Sequence, residues 1–333
     1  MTTSPFNALV LRQDETKKTL AAVEQLDQSD LPAGDVLVAV DYSTINYKDA
    51  LAVTGKGKIV RQWPMVPGID LAGTVLESAA DAYPAGAKVV LTGWGVGERY
   101  WGGYSQQQRV KSNWLVPLPA GLDSRAAMAI GTAGFTAMLC VMALEDAGMK
   151  ADSGTVLVTG ASGGVGSVAV ALLSHLGYTV AALTGKPDSH DYLRGLGASE
   201  IISGEEWGQA PRPLETQRWA SAVDTVGSQV LARVLAEMDY NGAVAACGLA
   251  AGFDLPTTVM PFILRGVKLL GIDSVMCPQV QRSDAWQRLA KDLPASLLAQ
   301  MSQQVVDLSH VAEYCQQLLA RKVQGRVLVD VNA

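Results

Sequence analysis

Thr155-Val156-Leu157-Val158-Thr159 runs without interruption into Gly160-Ala161-Ser162-Gly163-Gly164-Val165-Gly166, and an Ala- and Leu-rich stretch, Ser167–Leu176, follows. A short apolar β-prone run, a glycine-spaced turn and a helix-forming run are the successive parts of a dinucleotide-binding turn. A glycine pattern alone is weak, but here it opens a helix directly after a buried strand. The first glycine permits a tight turn, and residues without Cβ let backbone N–H groups reach a pyrophosphate. The last glycine lets helix pack close to strand, and the helix N-terminus presents free donors. Four glycines in seven residues would be a heavy conformational cost in a turn that held nothing.

Working outward, apolar strands alternate with helical runs. Tyr178–Leu183, Glu200–Ile202, Ala220–Val226, Ala243–Cys247 and Val267–Asp273 read as strands, while Ser189–Leu196, Ser228–Met238 and Thr258–Leu264 read as helices. This spacing predicts crossover units and an α/β, Rossmann-type doubly wound parallel sheet covered on both faces. Residues 1–124 differ in texture. Val36–Asp41 alternates apolar and polar side chains, Leu71–Leu76 follows Pro67-Gly68, and Lys88–Thr92 follows Pro84-Ala85-Gly86. A mostly β domain is expected there, with residues 125–295 forming the dinucleotide domain. A helix from about His310 to Arg321 and a strand Arg326–Asp330 within about 296–333 would return to complete the first domain.

Hydrophobic residues make up 49% and charged residues 17%, which suits a large packed core. A formal net charge of −6 argues against nucleic acid as a general partner. No secretory signal is apparent in Met1–Lys18, so a cytoplasmic location is expected. Ala126–Leu144 is uncharged and approaches the length of a membrane span, but it is interrupted by Gly131 and Gly134 and poor in Leu and Ile. It reads as a buried helix, with no membrane partner. The four cysteines, Cys140, Cys247, Cys277 and Cys315, are scattered and read as free thiols. The three histidines are His175, His190 and His310, so the first domain is expected to lack both His and Cys and hence a catalytic zinc site.

The end of the second strand decides the dinucleotide. A site for NAD places Asp or Glu there to accept from the ribose hydroxyls. This chain has Leu183-Thr184-Gly185-Lys186, with no carboxylate before Asp188. A hydroxyl, an open backbone and an ammonium group suit a 2′-phosphate, so NADPH is the expected cofactor. The alternative is that Lys186 is an ordinary solvated lysine.

The residues then resemble a known family. Val66-Pro67-Gly68-Ile69-Asp70-Leu71-Ala72-Gly73 is similar to a segment of the medium-chain dehydrogenase/reductase superfamily, with Ile69 where zinc enzymes carry a ligand histidine. Asn46-Tyr47-Lys48-Asp49 is similar to the zinc-free, quinone-oxidoreductase-like branch, and Gly325-Arg326-Val327 also fits. Thr54-Gly55-Lys56-Gly57-Lys58, Thr92-Gly93-Trp94-Gly95-Val96-Gly97-Glu98, Cys247-Gly248-Leu249-Ala250 and Leu255–Arg265 resemble the NADPH-dependent acrylyl-CoA reductase subfamily. The resemblance implies a GroES-like catalytic domain beside the Rossmann domain, a homodimer, and metal-free reduction of acrylyl-CoA to propionyl-CoA. It also implies cofactor contacts at Tyr47, Ser162, Gly163, Gly164, Val165, Thr184, Gly185, Lys186, Leu249, Ile263 and Ser274, beside the Gly160 and Gly166 of the turn.

Without a metal, the negative charge that develops on a thioester oxygen needs preorganised hydrogen-bond donors. Tyr47 is the candidate donor and Asn46 a candidate orienting group, both placed by the resemblance where the family binds its substrate. Asp49 reads first as a helix cap and second as a catalytic residue. Lys56, Lys58 and Arg61 form a basic run that could receive the phosphates of an acyl-CoA or simply face solvent, and Trp94 could wall a substrate pocket or pack. Charge reversal at Lys56 and Lys58 is expected to raise KM for acrylyl-CoA alone. Two other readings stay open: a quinone or enone reductase on the same fold, and a non-catalytic cofactor-binding relative that is structural or binds RNA.

Overall fold

A computed structural model describes residues 5–204, 207 and 209–333. The chain divides into two compact units. The first comprises residues 1–132, 275–290 and 298–333, and the second residues 133–274 and 291–297.

In the first unit, β1 (Phe6–Gln13) and β2 (Thr19–Leu26) form an antiparallel hairpin. The remaining strands of the amino-terminal part are β3 (Val36–Thr44), β4 (Asp70–Ser78), β5 (Lys88–Thr92), β6 (Gln107–Val110) and β7 (Val116–Pro117). A short helix, α1 (Tyr47–Val53), leaves the end of β3. Every second side chain along β3 and its neighbours enters one core, where Val36, Val38, Val40, Leu71, Val75, Val89 and Leu91 are buried together. Each such side chain contributes roughly 1.5–3 kcal/mol by leaving water.

α2 (Ser124–Asp146) crosses the unit boundary. It is broken at Gly131, whose φ of 51° and ψ of −161° are not helical. Among the described residues it is the one helix long and apolar enough to span a membrane, and most of its apolar stretch is packed inside the protein.

The second unit carries β8 (Thr155–Thr159), α3 (Gly164–His175), β9 (Thr179–Thr184), α4 (His190–Gly195), β10 (Glu200–Ser203), β11 (Trp219–Asp224), α5 (Ser228–Ala236), β12 (Met238–Ala246), α6 (Met260–Arg265) and β13 (Lys268–Gly271). The six strands are parallel and lie in the order β10-β9-β8-β11-β12-β13. That is the order of the Rossmann sheet, with its reversal of winding between β8 and β11.

The chain then returns through α7 (Gln279–Asp292), α8 (Ala295–Met301), β14 (Gln304–Val306), α9 (Val311–Leu319) and β15 (Val327–Asp330). β15 pairs antiparallel with β3, closing a seven-stranded sheet of order β14-β15-β3-β4-β5-β7 to which β6 is joined through β3. Relative to boundaries at 124/125 and 295/296, the structure moves Val275–Ala290 into the first unit and puts the first break at the Gly131 kink. Arg282 accounts for the former, because its buried guanidinium donates to Thr92 at the end of β5. The return also corrects the expectation of a His- and Cys-free first domain. Cys277, His310 and Cys315 all belong to that unit, and Cys315 lies in its main core.

Candidate functional site

At the end of β8, Gly160 turns with φ of +59°, and a Cβ there would lie 2.3 Å from Thr225 Oγ1. At Gly166 a Cβ would lie 2.4 Å from the Gly160 carbonyl oxygen, so only glycine allows α3 to start this close to the turn. Gly163 is the N-cap of α3 and supplies no side-chain cap to the first-turn N–H groups. Those donors, at the point where the winding reverses, form a ready anion cradle. Ala161 N donates to Leu183 O at 3.0 Å, and the hydroxyls of Ser162 and Thr184 lie 3.1 Å apart, which ties the turn to the end of β9. Lys186 N donates to Thr184 Oγ1 at 3.1 Å, while Gly185 is exposed and a Cβ there would meet nothing within 4 Å. The structure thus gathers Gly160, Ser162, Gly163, Gly164, Val165, Gly166, Thr184, Gly185 and Lys186 at one corner of the sheet.

Sequence reasoning passed over the other half of that corner. Thr159 Oγ1 donates to Asp224 Oδ1 at 2.7 Å, Gly227 N donates to Asp224 Oδ2 at 2.8 Å, and Thr225 Oγ1 donates to Thr159 O at 2.9 Å. Burial raises the Asp224 carboxyl pKa against these bonds. A Cβ on Gly248 would lie 2.2 Å from Thr225 O, so the Gly248-Leu249 segment sits against the same strand end, and Leu249 is exposed. The signal is in the sequence: Asp224 ends, and Thr225 follows, the strand that flanks the glycine turn across the switch point. Ile263 is exposed on α6, and Ser274 is half-buried after β13.

The first unit holds a second polar construction. Asn46 precedes α1 and is buried; its amide Nδ2 donates to Asp70 Oδ2 at 2.8 Å and to Asp49 Oδ2 at 3.3 Å, and its Oδ1 accepts from Arg326 Nη1 and Nη2, each at 3.3 Å. Asp49 accepts from the N–H groups of Asn46 and Ile69, both at 3.0 Å. Asp70 accepts from Thr132 N at 2.8 Å and from the Thr132 hydroxyl. Arg326 also donates to Ala129 O at 3.1 Å and Thr44 Oγ1 at 3.0 Å. Burial, and then the Asp70 charge, push Asp49 up to about 7. Burial also raises Asp70, opposed by its Thr132, Arg326 and Asn46 partners, and lifts the Tyr104 phenol well above its ordinary value.

Asn46 and Asp49 have their polar atoms engaged inside the protein, and Asp49, 1% exposed, accepts from Asn46 N as the cap of α1, in keeping with its first reading. Tyr47, the first residue of α1, is 51% exposed. Among the described residues, no three His, Cys, Asp or Glu side chains are grouped so as to hold a metal ion. Lys56, Lys58 and Arg61 are exposed in the loop after α1. Trp94 is half-buried with φ of 57°, and the Arg282 guanidinium lies 4.9 Å from its ring centroid.

Residues 32–120 match the alcohol dehydrogenase GroES-like domain and residues 164–291 the zinc-binding dehydrogenase family. The chain is 58% identical over 330 residues to acrylyl-CoA reductase AcuI of Ruegeria pomeroyi, covering 98% of this chain and 100% of that one. It superposes with a TM-score of 0.95 on the crystal structure of Escherichia coli K-12 YhdH with bound NADPH, at 59% identity over 98% of this chain and 100% of that chain. The putative quinone oxidoreductase YhfP of Bacillus subtilis is 46% identical over 93% of this chain and 94% of its own length. A crystal structure of Bacillus subtilis yhfP with NAD bound gives a TM-score of 0.96 at 43% identity, covering 99% of this chain and 100% of that chain. With a GroES-like unit, a Rossmann unit in the 3-2-1-4-5-6 order and full-length relatives at these identities, the chain belongs to the medium-chain dehydrogenase/reductase superfamily, in the branch that holds the acrylyl-CoA reductases and their quinone oxidoreductase-like kin.

Proposed function

We propose that this chain reduces the α,β double bond of acrylyl-CoA to propionyl-CoA with NADPH. The observation that carries the reading is the full-length 58% identity to an acrylyl-CoA reductase, together with a dinucleotide corner that fits the cofactor. A Cβ at Gly166 would fill the cradle beside Gly160, and the end of β9 offers Thr184, Gly185 and Lys186 in place of an acid.

In this reading the N–H groups from Gly163 to Gly166 hold the pyrophosphate, and Thr184 and Lys186 receive the 2′-phosphate. Leu249, Ile263 and Ser274 complete the nucleotide contacts. NADPH bound there supplies the hydride. Tyr47 donates to the thioester oxygen as negative charge develops on it, a donor being most effective when its orientation is fixed in advance. Its backbone is fixed by Asn46 and Asp49, whose own bonds leave α1 little freedom.

The YhfP relative, named a putative quinone oxidoreductase, supports a second reading as a quinone or enone reductase. Oxidation of NADPH followed with acrylyl-CoA and with simple quinones separates the two. A kcat/KM for acrylyl-CoA about 100-fold above that for any quinone is expected, which is about 2.7 kcal/mol in transition-state binding. The opposite order installs the second reading.

A homodimer accompanies this reading. β13 closes one edge of the six-stranded sheet, with no strand outside it among the described residues, and Phe253, Val259 and Leu264 of the same unit are exposed. An open strand edge with apolar neighbours suits a second copy related by a two-fold axis. Light scattering checks it, and a monomeric mass at micromolar concentration removes it. A reducing cytoplasmic setting fits the four free thiols.

A further inference from the structure

The loop after α1 meets the Trp94–Trp101 loop through Arg61 N, which donates to Glu98 O at 2.9 Å. Between them lies an open depression of about 530 Å³ lined by Arg61, Gln62, Arg99 and Tyr100. Its charge is one-sided. The one carboxylate that the local ion pairs show, Glu98, is engaged by Lys48 Nζ at 3.0 Å and reaches Arg99 Nε only at 4.0 Å. The Arg99 side chain is 67% exposed, and Arg61 has no carboxylate within 4.0 Å among the described residues. Tyr100 is 41% exposed, its ring centroid lies 4.7 Å from that of buried Trp114, and Lys111 Nζ lies 5.5 Å from its centre. Two exposed guanidinium groups, that of Arg99 paired only at 4.0 Å, beside an aromatic ring, in a chain of net charge −6, are the chemistry of a phosphorylated purine nucleoside site. The Lys48–Glu98 pair joins the loop that carries Arg99 to the start of α1, where Tyr47 is exposed.

We propose that Arg61 and Arg99 bind the phosphates, and Tyr100 the adenine, at the 3′-phosphoadenosine end of the CoA thioester, so that the thioester is held at both ends by the first unit. The assignment rests on the acyl-CoA reading given above. It narrows the basic run of the loop to Arg61 and adds two residues, Arg99 and Tyr100, that lie far from it in sequence.

Adenosine 3′,5′-bisphosphate titrated into the full-length protein by calorimetry tests the site directly. Saturable binding is expected that weakens by about tenfold or more in Arg61→Ala/Arg99→Ala, is largely kept in Arg61→Lys/Arg99→Lys, and falls as salt rises. Inorganic phosphate alone is expected to bind far more weakly, because it offers Tyr100 nothing to stack. The kinetic arm compares acrylyl-CoA with acrylyl-pantetheine, which lacks the nucleotide. The ratio of their kcat/KM values is expected to drop by about tenfold or more in the double alanine variant. Unchanged bisphosphate affinity, or an unchanged ratio, overturns the proposal. If the wild-type protein turns over neither ester, the reading of its activity fails, and the calorimetry still decides the site.

Discussion

Asp49 and Asp70 bury two carboxylates that share one amide: Asn46 Nδ2 lies 3.3 Å from the first and 2.8 Å from the second. Only Asp70 is also fixed by Thr132 and the nearby Arg326 charge, so Asp49 is the group that keeps a proton, with its pKa near 7. In the unfolded chain the same carboxyl loses its proton near pH 3.8. Between those values the folded state binds more protons than the unfolded one. This contribution to stability is therefore complete below about pH 4, declines as pH rises, and has gone above about pH 7. The slope is up to about 1.4 kcal/mol per pH unit. Urea unfolding at several pH values is expected to show that decline in the wild type and a flatter profile in Asp49→Asn. Parallel profiles would mean that Asp49 is ionised throughout.

The dinucleotide corner makes a paired prediction about two glycines. Gly166→Ala forces a Cβ to within 2.4 Å of the Gly160 carbonyl oxygen, whereas Gly185→Ala meets nothing within 4 Å and needs no positive φ. Backbone cannot yield as a flexible side chain does, so the first change is expected to cost about 1–3 kcal/mol of stability and to weaken NADPH binding. The second should stay within about 0.5 kcal/mol of the wild type. Thermal unfolding without nucleotide and a fluorescence titration with NADPH measure both. Equal stability of the two variants would show that α3 can move away from the turn.

Lys186 tests the choice between cofactors. It sits beside Thr184, whose hydroxyl is held by the Ser162 hydroxyl and by the Lys186 backbone N–H. An ammonium group engaging a phosphate is worth about 1.5–3 kcal/mol, so Lys186→Ala should weaken NADPH binding by about tenfold or more. NADH, which lacks the 2′-phosphate, should lose no more than about twofold by the same reckoning. Equal losses would put the 2′-phosphate elsewhere. The NAD-bound yhfP relative makes the comparison informative.

How far the sequence disclosed this molecule varies with the range of the interaction involved. β5 and β8 fall on the expected residues, Lys88–Thr92 and Thr155–Thr159, because a short apolar run bounded by turn residues is a local signal. The β1–β2 hairpin was not read, since Thr19–Leu26 is half-exposed and rich in residues that also suit a helix. α7 escaped for a related reason: Gln279–Asp292 is mostly polar, and its buried face of Arg282, Ala285, Trp286 and Leu289 includes a charge. The glycine turn was legible because its requirements are met within seven residues. The network around Asn46 was not, because Asp49, Asp70, Thr132 and Arg326 meet only after the carboxy-terminal segment has returned to β3. A buried acid and an exposed one look alike in sequence, so the cap at Asp49 is legible from its place three residues after Asn46 while its burial is not.

Arg282 carries the last prediction. It is fully buried, and its two terminal nitrogens reach Thr92 O at 2.7 Å, Thr92 Oγ1 at 3.0 Å, Val275 O at 3.2 Å and Cys277 O at 3.4 Å. Trp94 N donates to Val275 O at 2.9 Å and its ring lies against the guanidinium, so one side chain fastens the Trp94 loop to Val275–Cys277. Arg282→Met keeps much of the packing volume but removes the guanidinium's hydrogen bonds to Thr92 and Cys277, while Val275 O keeps the Trp94 N–H; each buried group left unpaired costs about 1–3 kcal/mol. A loss on the order of 3 kcal/mol or more in unfolding free energy is expected, with faster hydrogen exchange at the Trp94 amide. Arg282→Lys should recover only part of either, because a single ammonium cannot span two segments as the planar fork does. Exchange at Trp94 unchanged in the Met variant would show that the loop holds its own shape, and Arg282 would then serve the packing of α7 alone.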